Sequence, residues 1–96
     1  MTTTPNLAEI SQILKRRLPS GYRAVLFGSR ATGKAMPRSD WDIGVIGPER
    51  LQAAVMSDIR EALEEMPTLH TFEVVDFATV PDYFRKIALR KVIQLV

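Results

Sequence analysis

Two short stretches of this chain carry residue types that do chemistry at a useful spacing. Gly28-Ser29 closes an apolar run, and after ten intervening residues come Asp40 and Asp42, one residue apart, with Trp41 between them. Glycine lets a backbone approach a phosphate closely, and the serine hydroxyl adds a donor to the free amides of a strand end. Taken alone, Gly-Ser is an ordinary turn. The two aspartates say more. At the entry to an extended segment they point to the same face, about 6.6–6.8 Å apart along it. Carboxylates so placed repel each other and resist burial, which makes sense where a hard divalent cation sits between them. Mg²⁺ takes one or two protein carboxylates and completes its shell with water and substrate phosphates. Trp41, Ile43 and Val45 point the other way, into the core, and Gly44 leaves room for a ligand on the carboxylate face.

The elements that position these residues are legible from periodicity. Leu7, Ile10, Leu14 and Leu18 recur at three- and four-residue steps and predict a helix over 7–18, with Asn6 and Glu9 as a capping pair. Pro19-Ser20-Gly21 stops it. A buried strand follows over 22–27, then a polar loop over 28–39 that opens on one helical turn. Residues 41–46 form a second strand, closed by Gly47-Pro48. Pro48 suits the first turn of a second long helix, whose apolar stripe is Leu51, Val55, Ile59, Ala62 and Met66. A third strand spans 71–78, and a helix over 81–89 turns Phe84, Ile87 and Ala88 inward. Residues 92–96 read either as the end of that helix or as a short edge strand. Helices alternating with short apolar strands imply an α/β fold, a sheet covered by helices, as a single domain over 1–96.

Composition narrows the class. The 96 residues are 46% hydrophobic and 25% charged, the balance of a folded globular chain, and none is a cysteine, which excludes disulfides and thiolate metal sites. No apolar run is long enough to span a membrane, and the first residues (Met1-Thr2-Thr3-Thr4-Pro5) lack the pattern of a signal peptide, so a cytoplasmic protein is expected. The net charge is +2. Its cations cluster at Arg30, Lys34 and Arg38, with Arg23 upstream, and again at Arg85, Lys86, Arg90 and Lys91. Neither cluster has the interleaved aromatics of a nucleic-acid surface, and a nucleoside triphosphate fits this charge scale better. A chain this small buries only about 60–65% of its unfolded surface, which favours a homo- or hetero-oligomer.

Gly-Ser, ten residues, then Asp-x-Asp, with a strand on each side, resembles the signature of the DNA polymerase β superfamily of nucleotidyltransferases. The finer pattern, Gly28-Ser29-Arg30-Ala31-Thr32-Gly33 followed by Ser39-Asp40-Trp41-Asp42-Ile43, is similar to the minimal nucleotidyltransferases (MNT). The segments Phe72–Phe77 and Asp82–Ile87 resemble the later part of that family. The resemblance implies a small mixed β-sheet flanked by helices, like the polymerase palm. It implies that Gly28 and Ser29 hold the triphosphate of ATP, and that Asp40 and Asp42 hold Mg²⁺, two ions in all. Many relatives have Arg where this chain has Thr32, which passes the phosphate charge to Arg30, Lys34 or Arg38. The reaction needs a third acid on a neighbouring strand. Glu73 and Asp76, three residues apart, face opposite sides of a regular strand, so one of them meets the aspartates unless a bulge admits both. The family pattern leans to Glu73, although Asp76 also matches a common family aspartate.

Family members of this size resemble the antitoxin half of two-gene modules, which transfer AMP to a tyrosine hydroxyl of an all-helical HEPN-type partner. The expected partner surface here is the basic segment 85–91 together with the apolar end, 92–96. A competing expectation is a nucleotide-binding antitoxin subunit that acts by contact. His70 reads as a surface loop residue, Tyr22 and Tyr83 as packing residues, and Ser29 lacks the neighbouring base of a nucleophile.

Overall fold

The computed structural model describes residues 4–96; the expectation drawn from residues 1–3 lies outside the described residues. Helix α1 (Leu7–Arg17) begins where the Asn6 side chain accepts the Ala8 amide at 2.7 Å. It stops because Leu18, preceding a proline, is driven to extended geometry (φ −73°, ψ 136°). Strand β1 (Arg23–Phe27) leads through Gly28 into the one-turn helix α2 (Ser29–Thr32), and β2 (Trp41–Ile46) follows. Then come α3 (Ala53–Glu64), β3 (Phe72–Asp76), α4 (Asp82–Ala88) and β4 (Ile93–Gln94). The strands form one mixed sheet in the order β3-β2-β1-β4, with β2 parallel to β3 and antiparallel to β1. The small mixed sheet flanked by helices is thus as expected.

The two faces of the sheet differ. On one, Ala24, Leu26, Trp41, Ile43, Val45 and Val74 pack against α1 through Ile10 and Leu14 and against α3 through Met56, Ile59 and Leu63. Fully burying a Leu or Ile side chain contributes about 1.5–3 kcal/mol, and four of these helical side chains are essentially inaccessible, so this face carries most of the stability. The other face holds a thinner cluster of Val25, Phe27 and Phe77. Phe84 of α4 meets the two phenylalanine rings edge-on, with centroids 6.1 and 6.4 Å away. No helix among the described residues is long and apolar enough to cross a membrane.

Several expectations are corrected. Helix α3 starts at Ala53, not near Pro48, because the buried Asp76 carboxylate accepts the Leu51 amide at 2.7 Å and holds the preceding segment out of helical geometry. In α4 the inward stripe is Phe84 and Ala88, four residues apart, while Ile87 stays 59% exposed. Seven residues give one short contact line, and Arg85 fixes its rotation by donating to the carbonyls of Phe77 and Val80. Arg85 is therefore an internal clamp and not part of a free basic surface. The C-terminal residues form the fourth strand: Ile93 pairs with Leu26, the Leu95 and Val96 amides donate to the Ala24 carbonyl, and Leu95 is buried. They form the edge strand of the sheet, with Leu95 turned into the core and Ile93 and Gln94 exposed.

The space beside Gly44 is also not a ligand pocket. A β-carbon there would lie 2.5 Å from Cζ of Phe77, whose ring fills the gap. Gly44→Ala is expected to force that ring aside, lowering stability by about 1–3 kcal/mol in urea denaturation, the usual cost of overpacking. Combining it with Phe77→Leu should cost less than the sum of the two single substitutions.

Candidate functional site

The antiparallel register sets Phe27 opposite Asp42, so Gly28, the next residue of the chain, emerges beside the aspartate. Gly28 has φ +73°, a conformation glycine adopts without strain. Its missing side chain matters as much, because a β-carbon there would overlap Oδ2 of Asp42. The glycine brings the turn at Ser29 directly against the carboxylate. Ser29 opens α2, and the Ala31 and Thr32 amides close that turn on the Gly28 carbonyl.

On the other side of β2, the parallel register pairs Asp42 with Glu73. Paired residues on adjacent strands share a face at the strand spacing of about 4.8 Å. Asp40 stands just before β2, exposed, and accepts a hydrogen bond from the Thr71 hydroxyl. The three carboxylates feel one another. The Asp42 carboxyl is pushed above the ordinary aspartate range, first by burial, then by the charge of Glu73, then by that of Asp40. No salt bridge among the described residues joins any of the three to a cation.

Asp76 is placed differently. Three residues beyond Glu73, it lies on the opposite face of β3 and is buried there. Both of its carboxylate oxygens are committed, to the Leu51 amide at 2.7 Å and the Ala78 amide at 3.0 Å. This geometry gives Asp76 a structural occupation, tying the β2–α3 and β3–α4 connections together on the face of β3 away from Asp42. Strand β3 is regular in this stretch, so no bulge brings both acids to one side.

Arg30 is likewise occupied. Its Nη2 donates to the carbonyls of Ser39 at 2.9 Å and Pro37 at 3.2 Å, and its guanidinium lies 4.5 Å above the Trp41 ring. Arg30 is thus engaged by its own loop. Lys34 and Arg38 remain exposed. His70 departs from the surface reading: half-buried, it accepts the indole N–H of Trp41 at Nδ1, 3.2 Å away. Nothing in the sequence signals this contact, since 29 residues separate the pair and His70 forms part of no motif.

The donor set suits a hard divalent cation. Carboxylate oxygens gather around an aspartate whose charge no cationic side chain offsets, beside a turn able to receive phosphate. Among the described residues no three acidic or histidine side chains converge closely enough to enclose an ion by themselves.

Residues 8–96 match the family model described as "Polymerase beta, Nucleotidyltransferase". The chain is 36% identical over 86 residues to the "Probable protein adenylyltransferase MntA" of Haemophilus influenzae, covering 90% of this chain and 74% of that protein. Its fold is similar to that of a toxin–antitoxin crystal structure with AMP-PNP, with a TM-score of 0.79 at 22% identity, over 96% of this chain and 73% of the other. It is also similar to a chain in the complex of a tri-AMPylated Shewanella oneidensis HEPN toxin with an MNT antitoxin, with a TM-score of 0.64 at 19% identity, over 94% and 68% of the two chains. The chain belongs to the polymerase β nucleotidyltransferase family.

Proposed function

We propose that this protein transfers AMP from ATP to a tyrosine hydroxyl of a HEPN-type helical partner, as the antitoxin of a two-component cytoplasmic module. The observation that carries the reading is the juxtaposition of Asp42 and Glu73 on adjacent strands, with the Gly28-Ser29 turn packed against the aspartate. The relative from Haemophilus influenzae, a probable protein adenylyltransferase, and the complex containing an AMPylated HEPN toxin support the choice of reaction and partner.

In this reading Gly28 and Ser29 receive the triphosphate, and Lys34 and Arg38 supply the positive charge that Arg30 does not. Asp40, Asp42 and Glu73 would hold Mg²⁺, which when bound neutralises charge on the phosphates and activates the acceptor. The acceptor oxygen forms a bond to the α-phosphorus as the bond to the bridging oxygen breaks, and pyrophosphate leaves. Glu73, the most exposed of the pair it forms with Asp42, takes the hydroxyl proton. Asp42, half-buried and fixed between two strands, keeps the donor set in place as charge builds on the phosphate.

A second reading, an antitoxin that binds nucleotide and acts by contact, draws on the Thr32 substitution and on the failure of three acidic side chains to converge. Turnover separates the two. The chain, ATP, Mg²⁺ and the HEPN-type partner are incubated together, and AMP on the partner is read by intact mass; a partner left unmodified sinks the catalytic reading.

Asp42→Asn should reduce transfer by about 10³-fold or more, the scale of losing several kcal/mol of transition-state stabilisation. Its stability should move the other way. The folded value of Asp42 lies above the unfolded one, so its contribution is fully present in acid and lost as the pH rises through the raised folded value. At neutral pH the apo variant should therefore melt at or above the wild-type Tm, and the difference should vanish once the medium is acidic enough to protonate Asp42 in both states. Calorimetry across that range checks the sign.

Glu73→Gln and Asp76→Asn should separate cleanly. The first should lose about 10²-fold in transfer with little change in Tm. The second should lower stability by about 1–3 kcal/mol, because it disturbs a carboxylate that satisfies two amides, and should retain transfer per folded molecule. A dead, stable Asp76→Asn protein would return the third-acid role to Asp76.

A further inference from the structure

Three segments carry the site: the turn at 28–32, the approach to β2 at 37–42, and the approach to β3 at 70–73. They are far apart in sequence, yet one side chain touches all three. Arg30 projects from α2, bonds the Pro37 and Ser39 carbonyls, lies over Trp41, and brings Nη2 within 3.4 Å of Nδ1 of His70. The same His70 nitrogen accepts from the Trp41 indole. The next residue, Thr71, donates its hydroxyl to Asp40, and its carbonyl accepts the Trp41 amide at 2.9 Å. Arg30 meanwhile has no salt bridge, and its buried Nε has no partner among the described residues. A cation kept half-buried without an anion has a task other than charge pairing.

We propose that Arg30 is a positioning residue: with Trp41 and His70 it forms a clamp that sets the Gly28-Ser29 turn against Asp40 and Asp42 before nucleotide arrives. The inference rests on the function proposed above and adds the device that makes its site rigid. A guanidinium can perform this task because it is planar, stacking on the indole through its face while its edge donates to two carbonyls. A lysine ammonium, a compact point charge, cannot do both. Preorganisation of this kind is felt chiefly in binding: when the loop between α2 and β2 is loose, nucleotide must order it on arrival, and the ordering cost is charged to affinity.

The clamp and a direct phosphate contact make different kinetic signatures. A residue that contacts developing charge lowers kcat, whereas loss of preorganisation raises KM and leaves saturated turnover nearly unchanged. For Arg30→Lys and Arg30→Met, the KM and Kd for ATP should rise by about tenfold with kcat within about threefold of wild type. Amide hydrogen exchange over 33–40 in the apo protein should quicken. Trp41, the chain's single tryptophan, should shift its emission in both variants. His70→Gln, which offers Trp41 an acceptor, should stay closer to wild type in all three readouts than His70→Ala.

Arg30→Lys is included so that a poorly folded Arg30→Met protein, identified by its melt, does not decide the matter. A fall in kcat with KM unchanged, or exchange over 33–40 equal to wild type, would overturn the clamp. If the wild-type chain binds no ATP, the nucleotidyltransferase reading falls instead. Exchange and Trp41 emission of the apo variants then decide the clamp by themselves: faster exchange with shifted emission supports it, and unchanged values reject it.

Discussion

The structure is organised around an electrostatic conflict. Asp42 and Glu73 stand side by side on neighbouring strands with Asp40 close by, and no side-chain cation relieves them. Left to itself such a cluster would spread apart into water. It is held because Asp42 lies on a strand paired along both edges, whose alternate residues Trp41, Ile43 and Val45 are locked under α1 and α3. The apolar face of β2 keeps its carboxylate where the polar face alone would not, at the cost of a raised Asp42 carboxyl. That is the usual balance of a functional site, in which strain at a few charged groups is offset by burial elsewhere.

The two faces of the sheet divide this labour. The helical face is thick and continuous, from Ile10 and Leu14 across the strands to Ile59 and Leu63. The opposite face has a small aromatic cluster, with Asp42 and Glu73 beside it at the Phe27 edge. Phe77 takes the space left by Gly44, and Phe27 of the same cluster stands opposite Asp42, so the aromatic cluster borders the carboxylate. Glycine thus has two separate uses along adjacent strands: at position 28 it admits the backbone turn to Asp42, and at position 44 it admits an aromatic ring.

The cations behave unlike a simple attractive patch. Arg30, Arg60 and Arg85 all spend their guanidinium groups on main-chain carbonyls, respectively of the site loop, of Val74 in β3, and of the β3–α4 connection. A guanidinium can bridge several carbonyls that a short loop leaves unbonded, and in a chain of 96 residues with little core to spare this is an economical way to fix connections. Positive charge available to an incoming anion is correspondingly less than the composition suggests, and lies with residues such as Lys34 and Arg38.

The sequence by itself determined the element order, the strand that presents Asp42, and the glycine turn, because these rest on local signals: apolar periodicity, proline and glycine punctuation, and the alternation of a strand. It also determined that Glu73 and Asp76 must face opposite ways. Which of them meets Asp42 depended on the register of β3 against β2, a relation between residues 31 positions apart that no local pattern encodes. The same holds for the true start of α3, set by an Asp76–Leu51 hydrogen bond, and for the C-terminal residues, which reach β1 as its second neighbour. The Arg30–Trp41–His70 contact was beyond sequence reading for the same reason. Side chains that converge only after the sheet has formed leave no periodic trace, and only the tertiary structure decided whether Arg30 would face a phosphate or its own loop.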